Sequence, residues 1–278
     1  MTTHLKKILQ HQLPQTELQQ LTGSYDIVGD IALIRLDTSL QHRATLIGET
    51  ILQTNSKLKT VVRRLGKHKG EFRTTELAVI AGENRTHTLV REFGLTYELD
   101  LASCYFSVRS GTERRRIASL VQKGERVLVL FSGIAPFPLM IAKYSDAELV
   151  VGVEKNSDAH HFAKENCVRN RLQHKIRLYC ADAARLSQQL FGGKKFHRLI
   201  MPLPVGGENF LATALPLLCS GGILHFYAMA PPQEQEKIWQ KVAEAAFAQK
   251  RTIKKIEAIR AGHCGNNTFR HCFETKIL

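Results

Sequence analysis

Gly133, Glu154 and Asp182 occupy positions from which a nucleoside could be held. In RVLVLFSGIAPFPLMIAKYSDAELVVGVEKN, Arg126 to Asn156, an apolar strand runs into a turn carrying Gly133, a helical stretch follows, and a second apolar strand ends on Glu154. Asp182 ends a third such strand in IRLYCAD. A carboxylate at Glu154 can accept both hydroxyls of a ribose, and one at Asp182 can accept from an adenine amino group. A dinucleotide sets its pyrophosphate against a helix N-terminus and needs several glycines in the turn. The turn FSGIAPF holds only Gly133. Taken singly, Glu154 and Asp182 are equally what a helix N-cap or a loop acid would be.

The elements that must position these residues follow from the hydrophobic pattern. RVLVLF, ELVVGVE, IRLYCAD, HRLIMPL and GGILHFYAM are apolar runs without polar alternation. Between them PFPLMIAKY, SDAHHFAKENCVRNRL and GENFLATALPLLCS read as helices, and ERRRIASLVQ precedes the first strand as another. Strands of this kind alternating with helices predict a parallel sheet covered on both faces, a doubly wound α/β domain whose ligand lies beyond the carboxyl ends of the strands. In that setting a single-glycine turn suits a cofactor without phosphate. The ordered set of turn, Glu154 and Asp182 points to S-adenosylmethionine and a class I methyltransferase.

The remaining sequence is organised in two further parts. Residues 1–19 carry Leu, Lys and Gln at helical spacing broken by Pro14, an N-terminal arm or short helix. Residues 20–94 mix strands and helices in a smaller α/β domain. YDIVGDIALIRL reads as strand, turn and strand, HRATLIGETILQTN as an amphipathic helix, and TVVRRLG and TELAVIAG as β-rich on either side of the basic turn GKHKGEFR. The methyltransferase-like domain then spans 95–278.

Composition narrows the partners. Of 278 residues, 39 are Lys or Arg and 25 Asp or Glu, a formal net charge of +14. Such a balance favours a polyanion, foremost nucleic acid. No stretch approaches the roughly 20 apolar residues of a membrane span, and the N-terminus has neither a long apolar core nor a cleavage pattern. The six cysteines, Cys104, Cys167, Cys180, Cys219, Cys264 and Cys272, form no CxxC pair. A reducing, cytoplasmic setting is expected, without a disulfide framework or metal site. His263, Cys264, His271 and Cys272 lie close in sequence but lack metal-ligand spacing.

Several segments, in this order, resemble the archaeal and eukaryotic tRNA (guanine-37, N1)-methyltransferase family, the Trm5 type: YDIVGDIALIRL, GEFRTTELAVIAGENRT, YELDLASCYFSVRSGTERRRIA, VLVLFSGIAPFPLMIAK, HRLIMPLP and GGILHFY. The resemblance covers Tyr25 to Tyr227 and is most specific in YFSVRSGTERRR. It implies a class I, Rossmann-like methyltransferase domain preceded by a smaller α/β domain that positions RNA. It further implies methylation of N1 of guanine 37 with S-adenosylmethionine. N1 must lose its proton to accept a methyl group, and charge then gathers on O6. The resemblance assigns Glu113 as general base, Arg73 to O6 and Tyr105 to the target base, which leaves its stack. Phe131, Gly133, Glu154, Asp182, Pro202 and Arg114 are expected to contact the cofactor. By residue type alone, Glu113 could cap its helix, Tyr105 could be core and Arg73 a surface charge.

Three departures from the family pattern stand out. Ala135 replaces a glycine of the turn. Pro202 replaces an asparagine whose amide helps hold the guanine, so that contact is expected from backbone, His225 or Asn209. About 20 residues precede the middle domain, too few for the tRNA-elbow domain of longer members, so an anticodon stem-loop is expected to suffice as substrate. Arg63 to Arg73 and Arg114, Arg115 and Arg116 are expected to meet phosphate. The protein is expected to act as a monomer. A related wyosine-pathway activity, methyl or aminocarboxypropyl transfer, and a non-catalytic RNA-binding relative remain open alternatives.

Overall fold

The computed structural model describes residues 4–66, 70–265 and 268–278, with the backbone alone at 264 and 265. Lys67, His68 and Lys69 of the basic turn lie outside the described residues, as does the side chain of Cys264. The chain divides into two compact units, Met1–Val108 and Arg109–Leu278.

The first unit contains α1 (His4–Leu9), α2 (Gln15–Gln20), β1 (Tyr25–Val28), β2 (Ile31–Ile34), α3 (Ala44–Thr54), β3 (Thr60–Arg64), β4 (Leu77–Gly82), β5 (His87–Glu92) and β6 (Leu95–Asp100). Pro14 separates α1 from α2, as its missing N–H and fixed φ require. Leu5, Leu9, Leu13, Leu18 and Leu21 are all buried in one cluster with Ile34, Ile47 and Val61. Among the described residues, α1 and α2 are the short helices, and their leucines belong to the core of this unit. The sheet runs β1-β2-β3-β4, with a parallel crossover from β2 through α3 to β3. Gly29, at φ 60, turns β1 into β2, and a Cβ there would meet Leu89 O at 2.4 Å, so the close approach admits only glycine. β5 and β6 pair as a hairpin through Phe93 and Gly94, both at positive φ, the two-residue geometry that matches strand twist. A domain boundary at 94/95 thus falls inside a hairpin, and the division between compact units lies at Val108/Arg109.

The second unit contains α4 (Gly111–Leu120), β7 (Arg126–Leu130), α5 (Pro136–Tyr144), β8 (Leu149–Glu154), α6 (Ser157–Arg169), β9 (Ile176–Cys180), β10 (Phe196–Met201), α7 (Leu211–Ala214), β11 (Leu218–Ala230), α8 (Gln235–Phe247), β12 (Ile253–Gly265) and β13 (Thr268–Ile277). Its seven-stranded sheet runs β12-β13-β11-β10-β7-β8-β9. β11, β10, β7, β8 and β9 are parallel, as the apolar runs predict. β13 inserts antiparallel between β11 and β12, so the sheet is mixed. Strand order reverses between β7 and β10, which makes the carboxyl ends of these two strands the ligand side. The stretch GENFLATALPLLCS is a broken helix: 3-10 turns at Gly207–Phe210 and Leu215–Leu217 flank α7, with Pro216 ending it. Among the described residues, no helix is long and apolar enough to cross a membrane.

Candidate active site

β7 delivers the chain into a turn built from left-handed residues: Phe131 (φ 52), Gly133 (φ 54) and Ala135 (φ 67). For residues other than glycine this backbone region costs about 1–2 kcal/mol, so the surroundings must enforce it. They do so through hydrogen bonds. Ser132 N donates to Val153 O at 3.0 Å and Ala135 N to Ser132 O at 3.0 Å. Asn166 of α6, fully buried, donates its amide to Ile134 O at 3.2 Å. Phe131 stands edge-on to Phe210, ring centroids 4.9 Å apart.

Glu154 closes the turn from β8. Its Oε2 accepts from Gly133 N–H at 2.7 Å and its Oε1 from Asn156 N–H at 2.8 Å. The amide that a phosphate would need therefore already faces a carboxylate, and a phosphate would meet like charge. A carboxylate oxygen can accept a second donor, so ribose hydroxyls suit the same spot. Ser132 Oγ, buried in this turn, has no hydrogen-bond partner among the described residues. These residues fit a cofactor with a ribose and no phosphate at the turn.

Asp182 caps the 3-10 turn Ala183–Arg185 by accepting from Ala184 N at 2.9 Å, and its Oδ2 pairs with Lys155 Nζ at 2.8 Å. Hydrogen bonding from Lys155, then from Ala184 N–H, holds its carboxyl below the ordinary range. The expected adenine acceptor thus carries an ammonium partner. Pro202 directly follows β10 and is half-buried, and the segment is tied down by Met229 N donating to Pro204 O at 3.1 Å. Arg114 is buried in α4.

Glu113 sits in the first turn of α4 and is only 7% exposed. Its carboxylate bonds side chains rather than the helix amides, so capping does not account for it. Arg116 donates Nε to Oε2 at 2.7 Å and Nη2 to Oε1 at 2.8 Å. Tyr227 of β11 donates its hydroxyl to Oε1 at 2.5 Å. The Tyr227 ring in turn packs edge-on to Phe137 of α5, centroids 6.1 Å apart, which ties the carboxylate to the helix that opens at the turn. Tyr227 follows Phe226, the residue registered with the last residue of β10, Met201, so this hydroxyl lies at the carboxyl end of the sheet.

Sequence order gave no signal for Arg116, Tyr227 and what lies behind them. Arg116 Nη1 bonds Glu274 Oε1 at 2.5 Å. His225 approaches the same oxygen with Nδ1 at 3.4 Å, while its Nε2 lies 2.6 Å from Arg198 Nη1. Arg198 also holds Glu125 at 2.7 and 3.0 Å. Burial, and the Arg198 cation, push the His225 pKa down against the pull of Glu274. The ring is therefore neutral, with Nδ1–H toward Glu274 and Nε2 accepting from Arg198. Burial would raise the Glu274 pKa, but hydrogen bonds from His225 and Arg116 outweigh it and lower the carboxyl to about 2. His225, expected as one possible guanine contact, is 0% exposed and belongs to this network; Asn209 is exposed.

The histidines, cysteines and arginines singled out from the sequence fall as follows. Among the described residues, His225, Cys272 and Glu274 bring potential metal donors within 4.8 Å of one another. Arg198 and Arg116 already supply cations to that cluster, and burial pushes the Cys272 thiol up. His271 packs beside Phe269 and Phe273 instead. Of the three arginines expected to meet phosphate, Arg114 is buried, Arg115 lies 3.7 Å over the Tyr144 ring and Arg116 joins two carboxylates.

In the first unit, the Arg73 guanidinium lies 5.6 Å from the Tyr105 ring centroid, and Tyr105 is exposed. Arg73 also adopts a positive φ of 54. The pair offers a cation and an aromatic face side by side.

Comparison with known proteins matches these units to one family. Residues 88–257 match the family model for the TRM5/TYW2 methyltransferase domain, and residues 5–86 that for the TYW2 N-terminal domain. The chain is 36% identical over 219 residues to tRNA (guanine(37)-N(1))-methyltransferase Trm5b of Pyrococcus abyssi, covering 79% of this chain and 64% of that protein. It is 32% identical over 235 residues to Trm5b of Methanocaldococcus jannaschii, covering 83% and 66%. The chain thus spans about two thirds of the length of these relatives. The solved complex of aTrm5 and tRNALeu superposes with a TM-score of 0.86 at 28% identity, covering all of this chain and 79% of that one. The chain, with its class I methyltransferase unit preceded by a smaller α/β unit, belongs to the TRM5/TYW2 methyltransferase family.

Proposed function

We propose that this protein methylates N1 of guanine 37 in tRNA, with S-adenosylmethionine as methyl donor. One observation carries the reading. The buried carboxylate of Glu113 is held through Tyr227 and Phe137 against the helix that opens at the single-glycine turn. In a family whose named relatives act on that nitrogen, a carboxylate so held supports reading Glu113 as the base.

S-adenosylmethionine supplies, when bound, an electrophilic methyl group on a sulfonium. Glu154 holds the ribose hydroxyls, and Asp182 takes the adenine amino group once Lys155 gives way. Phe131, Gly133, Pro202 and Arg114 are the further candidates for cofactor contact. Glu113 accepts the proton from guanine N1. Arg73 stabilises the charge that gathers on O6, and Tyr105 receives the face of the unstacked base. The partner is tRNA, entered at the anticodon stem-loop.

The test is single-turnover methylation of unmodified tRNA. Glu113→Gln, nearly the same shape, is expected to keep cofactor and tRNA affinity while the rate falls about 10²–10⁴-fold. A normal rate would remove Glu113 from the role of base.

A second reading, transfer of the aminocarboxypropyl group of the same cofactor, is favoured by the match of residues 5–86 to a TYW2 N-terminal domain. Product analysis separates the two. Methyl transfer leaves S-adenosylhomocysteine and adds one methyl to the base, whereas the alternative leaves methylthioadenosine and adds the larger group.

A further inference from the structure

Glu113 meets a problem common to buried bases. A guanidinium bound side-on lowers a carboxylate's proton affinity and occupies the lone pairs that a base must offer. The groups around it show how this is relieved. From its own helix comes Arg116; from β11, Tyr227; from β13, Glu274 and Cys272, with His225 of β11 behind Glu274. Tyr227 is a neutral phenol, since burial first and then the neighbouring Cys272 and Glu113 push its pKa well above the ordinary value. Cys272 is likewise a neutral thiol. The charged set is therefore one guanidinium between two carboxylates, a net single negative charge that one proton neutralises.

Counting donors then separates the two oxygens of Glu113. Oε1 takes two, Tyr227 Oη at 2.5 Å and Arg116 Nη2 at 2.8 Å. Among the described residues Oε2 takes one, Arg116 Nε at 2.7 Å. A carboxylate oxygen has two lone pairs in its plane, so Oε1 is saturated and Oε2 keeps one for an incoming donor.

We infer that Tyr227 is a positioning residue for Glu113: with Arg116 it saturates Oε1, fixes the carboxylate plane and leaves Oε2 as the atom that receives the guanine N1 proton. This rests on the reading of Glu113 as base. In the step, the N1–H bond breaks, an Oε2–H bond forms, and the electron pair stays on N1, the atom that is methylated. Glu274 has its own part. It shares Arg116, so that cation is divided between two carboxylates instead of facing Glu113 alone.

The experiment is a double-substitution cycle read by single-turnover rate and by the acid limb of the pH profile of kcat/KM. Tyr227→Phe keeps the ring against Phe137 and removes only the hydroxyl. It is expected to lower the rate about tenfold, the scale of one buried hydrogen bond. It also removes a donor from the charged carboxylate, so the acid limb moves to higher pH. In a Glu113→Gln background the same substitution is expected to have no further effect, because its action passes through Glu113. Glu274→Gln is expected to move the limb the other way, to lower pH, because Arg116 then faces Glu113 alone. That arm decides the matter should Tyr227→Phe fail to fold. Equal losses from Tyr227→Phe in both backgrounds, or an unmoved acid limb in both Tyr227→Phe and Glu274→Gln, would overturn the positioning role. A normal rate in Glu113→Gln would instead overturn the base assignment on which it rests.

Discussion

Lys155 and Asp182 lie where the adenine is proposed to bind, and their ion pair must open for Asp182 to accept a new donor. Their Nζ–Oδ2 distance is 2.8 Å, and the Lys155 side chain is 41% exposed, so solvent competes for both ends. A pair of this kind is worth about 0–1 kcal/mol. Lys155→Met is therefore expected to tighten S-adenosylmethionine binding by about two- to fivefold, within that range. Asp182→Ala is expected to weaken it by about 1–3 kcal/mol, the cost of an unpaired buried donor. Calorimetric titration measures both, and weaker binding in Lys155→Met would mean that Lys155 itself holds the cofactor. At this scale the sequence was uneven in what it revealed. Gly133, Glu154 and Asp182 stand at strand ends in chain order, so a local pattern exposed them. The partners of Glu113 left no such mark: Tyr227 is 114 positions away, and only folding the strand side by side with others makes it a neighbour. Arg114, Arg115 and Arg116 read as an exposed basic run because charge alone does not tell which side of a helix is buried.

β11 and β13 carry His225 and Glu274 into the sheet interior, where an acid titration finds them. His225 is held below its ordinary pKa of 6.5, so between that value and its folded one the unfolded chain binds the proton more readily. Its contribution to stability is complete above about 6.5 and is lost as pH falls through the folded pKa. Glu274 is lowered from 4.5 to about 2, so its contribution is complete above 4.5 and is lost as pH falls toward about 2. Both have the same sign. The thermal midpoint of the protein is expected to drop in two stages on acidification, and Glu274→Gln to flatten the lower one. Tm measured by circular dichroism from neutral pH downward checks this, and a midpoint insensitive to pH between 6.5 and 4.5 would count against a buried neutral His225. These strands also mark where pattern reading stopped. β7 and β8 announce themselves as apolar runs, RVLVL and LVVGVE. β12 and β13 interleave Lys, Glu, Arg and Thr with apolar residues, so they carry no such run, and the antiparallel end of the sheet stayed hidden. β5 was missed for a related reason: its alternate residues are exposed.

For the whole molecule, a formal charge of +14 predicts a strong ionic component in the proposed tRNA binding. The logarithm of affinity is expected to fall linearly with the logarithm of salt concentration. Arg115→Gln is expected to leave that slope unchanged and to lower Tm instead, because its guanidinium is stacked on Tyr144 within the protein. Filter binding across a salt series, beside a melting curve, tests both; a slope reduced by about one unit would return Arg115 to the phosphate-contacting set. The strand at one margin of the sheet carries a different consequence. Among the described residues β12 pairs with β13 on one side only, so the outer rim of a thirteen-residue strand could accept backbone pairing from a second chain. Long rims of this sort seed fibrils when they are flat and apolar. This one is neither. Its register slips at Lys255/Glu257, Arg260/Gly262 and His263/Gly265, and Lys254, Lys255, Glu257 and Arg260 stand exposed along it. The irregular hairpin and its charges thus act as a guard on solubility, keeping so basic a protein from polymerising strand upon strand.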